Sequence, residues 1–390
     1  GVIYTTVGQE TICIGGDRLL AFMKKFALTV DPVELKAEQK LWLITTKDPS
    51  QKAINFPGVR QVWIGHGFRV VMADETAQMG LAKKISSDFT RIDPLPANTT
   101  VLTPPRKPSK KNPNDPTGAL LERIDREAFV ADLKALTDLK TRYTYSDNAR
   151  QAIDYCEKIM KELGLSTRRL PFRSAAAPAE NLEGTQTGFD PGNAGEVIII
   201  GHLDSTSPQA STLAPGADDN GSGAAGVLAL ARFMKGLKGR ASVRFIVVLG
   251  EEQGMLGSKA YVAAMNPEEL ARLRAVINMD MIGFDAQAHL SVMLETSQFC
   301  EPMVQQMQDL AAKYTSLTTI VSYNPWGSDH IPFLKKKIPT ILTIESEFDD
   351  NPTYHKTSDT LEKVNLDLCY QILRLNAATL AEIAGIERSH

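Results

Sequence analysis

Three almost continuously apolar runs constrain this chain most, because each stops abruptly at acidic residues or histidine. They are Val197 to Ile200, Val243 to Leu249 and Ala275 to Met279, followed by His202, by Glu251 and Glu252, and by Asp280. A short apolar run of this kind is the signature of a strand buried on both faces. Between the runs the spacing turns helical. Ser222 to Leu237 opens on a glycine-rich turn and closes near Lys238-Gly239, and a second helix is expected from Leu256 to Met265. Two more strands are expected at Thr318 to Ser322 and Pro339 to Ile344, then a long last helix from Leu366 to Ile386. This alternation predicts an α/β fold with a mixed, mostly parallel central sheet flanked by helices. In such sheets ligands bind beyond the carboxyl ends of the strands. The acids and histidines fall there.

Five clusters carry the chemistry: Gly201-His202-Leu203-Asp204, Gly216 to Gly223, Gly250 to Gly254, Asn278-Met279-Asp280, and Tyr354-His355. Together they supply two imidazoles and at least three carboxylates, a donor set suited to a pair of zinc ions, with Glu251 left over to move protons. Asp204 lies two residues beyond His202 on an extended stretch, so it faces the same way and is expected to fix the imidazole tautomer. Adjacent carboxylates point apart. One of Asp218 and Asp219 is therefore expected to meet a metal while the other supports it or caps the next helix. Glu251 and Glu252 end an apolar strand, where two charges are costly unless cations or donors compensate them. If one binds metal, its neighbour is free to take a proton from water. His330, in Ser328-Asp329-His330, and His289 read as structural, as does His66, the one histidine before residue 102. His390 is terminal.

A chain of 390 residues exceeds one typical domain. The boundary is the stretch Leu102 to Gly118, which is rich in proline and lysine and can continue neither a helix nor a ladder. Residues 1–101 read as a small α+β domain with strands at Val2 to Val7, Lys40 to Thr46 and Phe68 to Met72, a helix at Asp17 to Phe26, and no catalytic motif. Residues 102–118 are the linker, and 119–390 carry the clusters. A net charge of −3 gives no footprint for nucleic acid or an anionic membrane, and no apolar run approaches the ~20 residues of a membrane span. The chain starts at Gly1, so any signal peptide is expected to have been removed. Cys13, Cys156, Cys300 and Cys369 are far apart. They fit two disulfides or four buried thiols, the thiols being the preferred reading.

From about Ala119 to Gly385 the chain resembles the zinc-dependent aminopeptidases of family M28, and is similar to secreted bacterial leucyl aminopeptidases. The residues that carry the resemblance are HLDST (202–206), PGADDNGSG (215–223), GEEQGMLGS (250–258), NMD (278–280), SDH (328–330) and YHKTSDT (354–360), and Thr141 to Ser146 looks like the family's entrance to a helix. The resemblance implies an eight-stranded mixed sheet and two zinc ions held by His202, Asp219, Glu252, Asp280 and His355. Asp219 would bridge them with Asp218 in support, Asp204 would orient His202, Glu251 would be general base and acid, and Tyr354 would stabilise the oxyanion. Substrates would be peptides with a free N-terminus, and the enzyme would be secreted or periplasmic. Met281, Ile282, Trp326 and Phe348 stand near motif residues and are candidates for an apolar side-chain pocket. Trp326 lies in Tyr323 to Gly327, where some relatives close a turn with a disulfide and this chain has no cysteine. Residues 1–101 are expected to act as an inhibitory propeptide, with Arg106-Lys107 and Lys110-Lys111 as its cleavage region. A carboxypeptidase of the same fold would offer arginine to the substrate carboxylate, and a non-catalytic relative would have lost donors.

Overall fold

The computed structural model describes residues 3–14, 35–36, 38–46, 56–85, 90–109, 115–174, 176–286 and 288–386. The chain forms two compact units, Gly1–Pro105 with Glu347–Pro352, and Arg106–Ser346 with Thr353–His390.

The strands of the first unit are β1 (Ile3–Val7), β2 (Glu10–Ile14), β3 (Lys40–Thr46), β4 (Arg60–Gly65), β5 (Phe68–Ala73), β6 (Thr90–Pro94) and β7 (Thr99–Leu102). β1 pairs antiparallel with β2 and parallel with β7. The other four form an antiparallel sheet in the order β4-β5-β3-β6. The helix Glu75–Ile85 contributes Ala77 and Leu81 to a core with Trp42, Ile44 and Val71. The helix expected at Asp17 to Phe26 lies outside the described residues, as does His390.

The second unit adds β8 (Ser166–Arg173), β9 (Pro178–Gln186), β10 (Glu196–His202), β11 (Ser242–Val248), β12 (Leu273–Met279), β13 (Ser291–Glu295), β14 (Thr318–Ser322) and β15 (Thr340–Glu345). Their order is β14-β13-β15-β12-β10-β11-β9-β8. β10 runs parallel to both β11 and β12, β12 to β15, and β13 to β14, while β8, β9 and the β13–β15 pair supply the antiparallel contacts. The central strands are buried at every residue of β10 and β11, as the apolar runs require. Helices cover the sheet. Gly223–Met234 is buried along nearly its whole length, and Leu366–Ala384, capped by Asn365, is likewise part of the main core.

Arg106 and Ser109, within the stretch read as the linker, are bonded to other residues of the second unit. Arg106 exchanges backbone hydrogen bonds with Thr319 at 2.8 and 2.9 Å and ion-pairs with Asp309, and the amide of Ser109 donates to Ala312 O at 3.0 Å. Asp115 then caps a helix, Pro116–Leu121. Backbone pairing and an ion pair thus hold the proline-rich stretch at Arg106, and a helix begins within its last residues at Pro116. All four cysteines are free thiols, three of them buried. No helix among the described residues is long and apolar enough to cross a membrane.

Candidate metal centre

Parallel pairing delivers the donors to one edge. His202 ends β10 opposite Val248, the last residue of β11, and Ile200 stands opposite Asn278 of β12. The chain leaves β11 through Gly250, at a φ of 79°, into Glu251 and Glu252, and leaves β12 into Asp280. Asp219 arrives on the turn 217–222, whose shape is fixed by its neighbours. Asp359 accepts the amides of Asp218 and Asp219, each at 3.0 Å. Asn220 donates to Met279 O at 2.9 Å and accepts the amides of Gly223 (2.9 Å) and Met281 (3.2 Å), fastening the turn to the end of β12. A Cβ on Gly223 would lie 2.3 Å from Asn220 Oδ1 and 2.4 Å from Met279 O, so only glycine admits this closure.

Two groups of donors converge, His202 with Asp219 and Asp280, and Asp219 with Glu252 and His355. Within each, the ligand atoms lie within 4.8 Å of one another. Asp219 belongs to both and divides its oxygens between them. Oδ1 is 3.4 Å from His202 Nε2 and Oδ2 is 3.1 Å from His355 Nε2. Asp280 Oδ1 is 3.1 Å from His202 Nε2, and Glu252 Oε2 is 3.0 Å from His355 Nε2. Tyr354 stacks on the ring of His355 with centroids 3.8 Å apart.

A model of peptidase family M28 matches residues 181–380, more than half of the chain and the segment that carries all five donors. The chain belongs to peptidase family M28. It is therefore a hydrolase. Leucine aminopeptidase 1 of Pyrenophora teres f. teres is 30% identical over 302 residues, covering 72% of this chain and 76% of that protein. A probable leucine aminopeptidase of Trichophyton verrucosum is 26% identical over 302 residues, with 74% and 78% covered. The solved structure of BSAP, a zinc aminopeptidase from Bacillus subtilis, superposes with a TM-score of 0.59 over 68% of this chain and 96% of that one. At 16% identity that likeness is one of fold.

In this M28 peptidase the carboxylates and imidazoles of the donor groups shift one another's protonation. Burial opposes charging of His202, but the field of Asp280 and bonds to Asp204, Asp219 and Asp280 hold its pKa well above the usual imidazole range. His355 is raised against burial in the same way by Glu252 and Asp219. Burial would raise Asp219, yet hydrogen bonds from both imidazoles hold it below the ordinary carboxylate range. Burial pushes Glu252 up to about 7, and Glu251 well above its usual value, with Asp280, Asp329 and Glu252 adding to the effect on Glu251. Glu252 Oε1 is buried without a hydrogen-bond partner. Imidazolium protons here occupy the electrostatic role of cations, and a buried orphan oxygen beside them is what a metal ligand presents before its ion arrives. The residues of both donor groups have the chemistry of metal ligands.

The remaining expected residues divide. Asp218 turns away from Asp219, accepting the Gly283 amide at 2.8 Å and the Ser222 hydroxyl, and burial lifts its pKa to about 6. Asp204 faces the imidazole, with Oδ1 3.6 Å from His202 Nδ1, and does more besides. His202 Nδ1 meets its backbone carbonyl at 3.2 Å, while its carboxylate accepts Thr144 Oγ1 and the amides of Glu251 and Glu252. It therefore holds the end of β11 as much as the imidazole. Ile282 is wholly buried in the main core. Met281 is buried in a left-handed conformation, Trp326 is half-buried with its amide on Glu295 Oε1, and Phe348 falls in the segment that groups with the first unit. His330 is fully buried, 3.3 Å from Glu295, and His289 is exposed; neither joins a donor group. Asn220, Asp359, Glu345 and Arg142 were not singled out from sequence. Asn220, Asp359 and Arg142 lie inside the motifs, so their presence there was the available signal. Glu345 accepts the amides of Gly283 and Phe284 from the end of β15, and nothing in its apolar strand marks it out.

Proposed function

We propose that the chain is a two-zinc aminopeptidase that releases apolar N-terminal residues from peptides, with residues 1–101 restraining it as a propeptide. The observation that carries this reading is the pair of donor groups sharing Asp219, whose two oxygens face different imidazoles. Relatives named as leucine aminopeptidases and a zinc aminopeptidase of the same fold support it. His202, Asp219 and Asp280 would hold one ion and Asp219, Glu252 and His355 the other. When bound, zinc supplies Lewis acidity to the scissile carbonyl and to water.

The rest falls to the chain's own side chains. Glu251, left out of both donor groups and desolvated, takes a proton from the attacking water at its carboxylate and returns it to the leaving amine. Burial and the surrounding carboxylates push the Tyr354 phenol well up, so it stays a neutral O–H donor for the developing oxyanion. The acid-rich centre favours a substrate carrying a free ammonium group. Met281 and Trp326 are the members of the expected pocket set nearest in sequence to Asp280 and to the Ser328-Asp329-His330 motif. The proposal extends to export of the enzyme, which fractionation of cells and medium checks.

Hydrolysis of leucine p-nitroanilide and its N-acetyl form, with and without chelator, tests the reading. Chelator-sensitive cleavage of the free-amine substrate alone is expected. Equal cleavage of the acetylated form, or indifference to chelator, would sink it. Limited trypsin treatment at Arg106-Lys107 should raise activity if residues 1–101 restrain the enzyme. The bonds of Arg106 to Thr319 and Asp309 must open first.

A further inference from the structure

Arg142 is wholly buried, and its hydrogen bonds go to backbone carbonyls rather than carboxylates. Nε donates to Leu203 O at 2.7 Å, Nη1 to Pro215 O at 2.6 Å and Leu136 O at 3.3 Å, and Nη2 to Gly216 O at 2.7 Å. Leu203 directly follows His202, and Gly216 opens the turn that carries Asp219. We propose that Arg142 is a positioning residue for the metal centre, its guanidinium spanning the two backbone arms that bear His202 and Asp219 and so setting their separation. This rests on the reading that these two residues share a metal position with Asp280.

The geometry suits a guanidinium and no other side chain. A planar fork satisfies diverging carbonyls at once, whereas an ammonium is a point charge. Gly216 is shaped to the same contact. Its φ is 52°, and a Cβ there would lie 2.4 Å from Ser205 Cβ and 3.2 Å from Arg142 Nη2. The strap is reinforced along its length, because Ala214 N donates to Lys140 O at 2.8 Å and the Arg142 amide donates to Ser205 Oγ at 3.0 Å. Burial pulls the guanidinium down to about 10, opposed by the fields of Asp359, Asp204 and Asp219. It therefore stays charged at neutral pH and stands as a fixed cation behind the acidic centre.

The test is cobalt(II) titration of the metal-free full chain, followed by visible absorption, with zinc uptake by equilibrium dialysis alongside. The wild-type chain should take up two ions. Arg142→Gln should bind one of them about 10- to 100-fold more weakly, the range for loss of a group that orients a ligand, while the metal-free protein keeps its near-UV spectrum. Arg142→Lys should behave like the glutamine variant, since charge without the fork cannot span both arms; it is also the variant to read if Arg142→Gln does not fold. Ser205→Ala loosens the same loop without touching the fork, and should leave both affinities within about threefold. Unchanged uptake by Arg142→Gln, full recovery in Arg142→Lys, or an equal loss in Ser205→Ala would each overturn the assignment. A wild-type chain that takes up fewer than two ions sinks the two-metal reading itself, and that arm is read before any variant.

Discussion

β3 and β5 of the first unit are nearly as buried as β10 and β11 of the second, yet among the described residues only the second pair leads to donor groups. The difference is direction. β3 pairs antiparallel with β5 and β6, so neighbouring strands end at opposite edges and neither edge collects their carboxyl termini. β10, β11, β12 and β15 run parallel, and all four end at one edge. The first unit's hairpins also use their turns differently. His66, its lone histidine, sits with Gly67 in the two-residue connection from β4 to β5, and both have positive φ (48° and 75°). That is the geometry of a tight hairpin turn, not of a ligand. Burial of strands is thus common to both units, and chemistry follows from how their ends are gathered.

Asp219→Ala cuts the second unit at the residue both donor groups share, so it should give the largest effect. Activity is expected to fall more than about 10⁴-fold with loss of both ions, measured by kinetics and metal analysis. Retention of one tightly bound ion would show that the groups are independent. Glu251→Gln should lower kcat about 10³-fold with metal uptake unchanged, and parallel loss of metal would move Glu251 into the ligand set.

Removing the metals should separate the units by pH. In the metal-free chain Glu252 and Asp329 are raised by burial to about 7 from 4.5 and 3.8, and both imidazoles are raised. Raised groups contribute stability that is present below their unfolded values and lost as pH rises through the folded ones. Asp219, held low, has the opposite sign but acts only below about 4. Between about pH 5 and 8 the second unit's melting temperature should therefore fall, on the order of 5 °C, while saturating zinc flattens the trend because ligands bind deprotonated. Calorimetry that finds the metal-free second unit gaining stability over that range would contradict the placement of these groups. The smallest effect belongs to His66→Gly. Relief of a left-handed side chain should stabilise the first unit by about 0.5–1 kcal/mol, with activity and metal content unchanged; a loss of metal would break the contrast between the units.

The sequence is most legible where one residue's surroundings are local. β10, β11 and β12 announce themselves because both faces are buried and the apolar run is unbroken or nearly so. β8 and β9 do not. Ser166–Arg173 carries three arginines and a proline, and its charged side chains pair with Glu183 of the adjacent β9 and Glu157 of the preceding helix, so it shows no apolar run. The donors are readable for the same reason as the central strands, since each follows one directly or sits in a glycine-rich motif. What holds them is not. Asp359 reaches the amides of Asp218 and Asp219 from 140 or more residues away, and Arg142 reaches Gly216 across 74. Neither pairing leaves a periodicity. Apolar character near a motif misleads for a related reason: Ile282 follows Asp280 closely and is core.

The order in which the donors occur along the chain has a consequence for biosynthesis. His202, Asp219 and Asp280 are all present once residue 280 has been made, whereas the second group waits for His355, after β13, β14 and β15. Because a chain is synthesised from its N-terminus, a nascent chain carries the complete donor list for one ion well before it carries the list for two. On the two-ion reading proposed above, the shared aspartate would then place the later ion beside a carboxylate already committed to the earlier one, and loading would follow the order of synthesis.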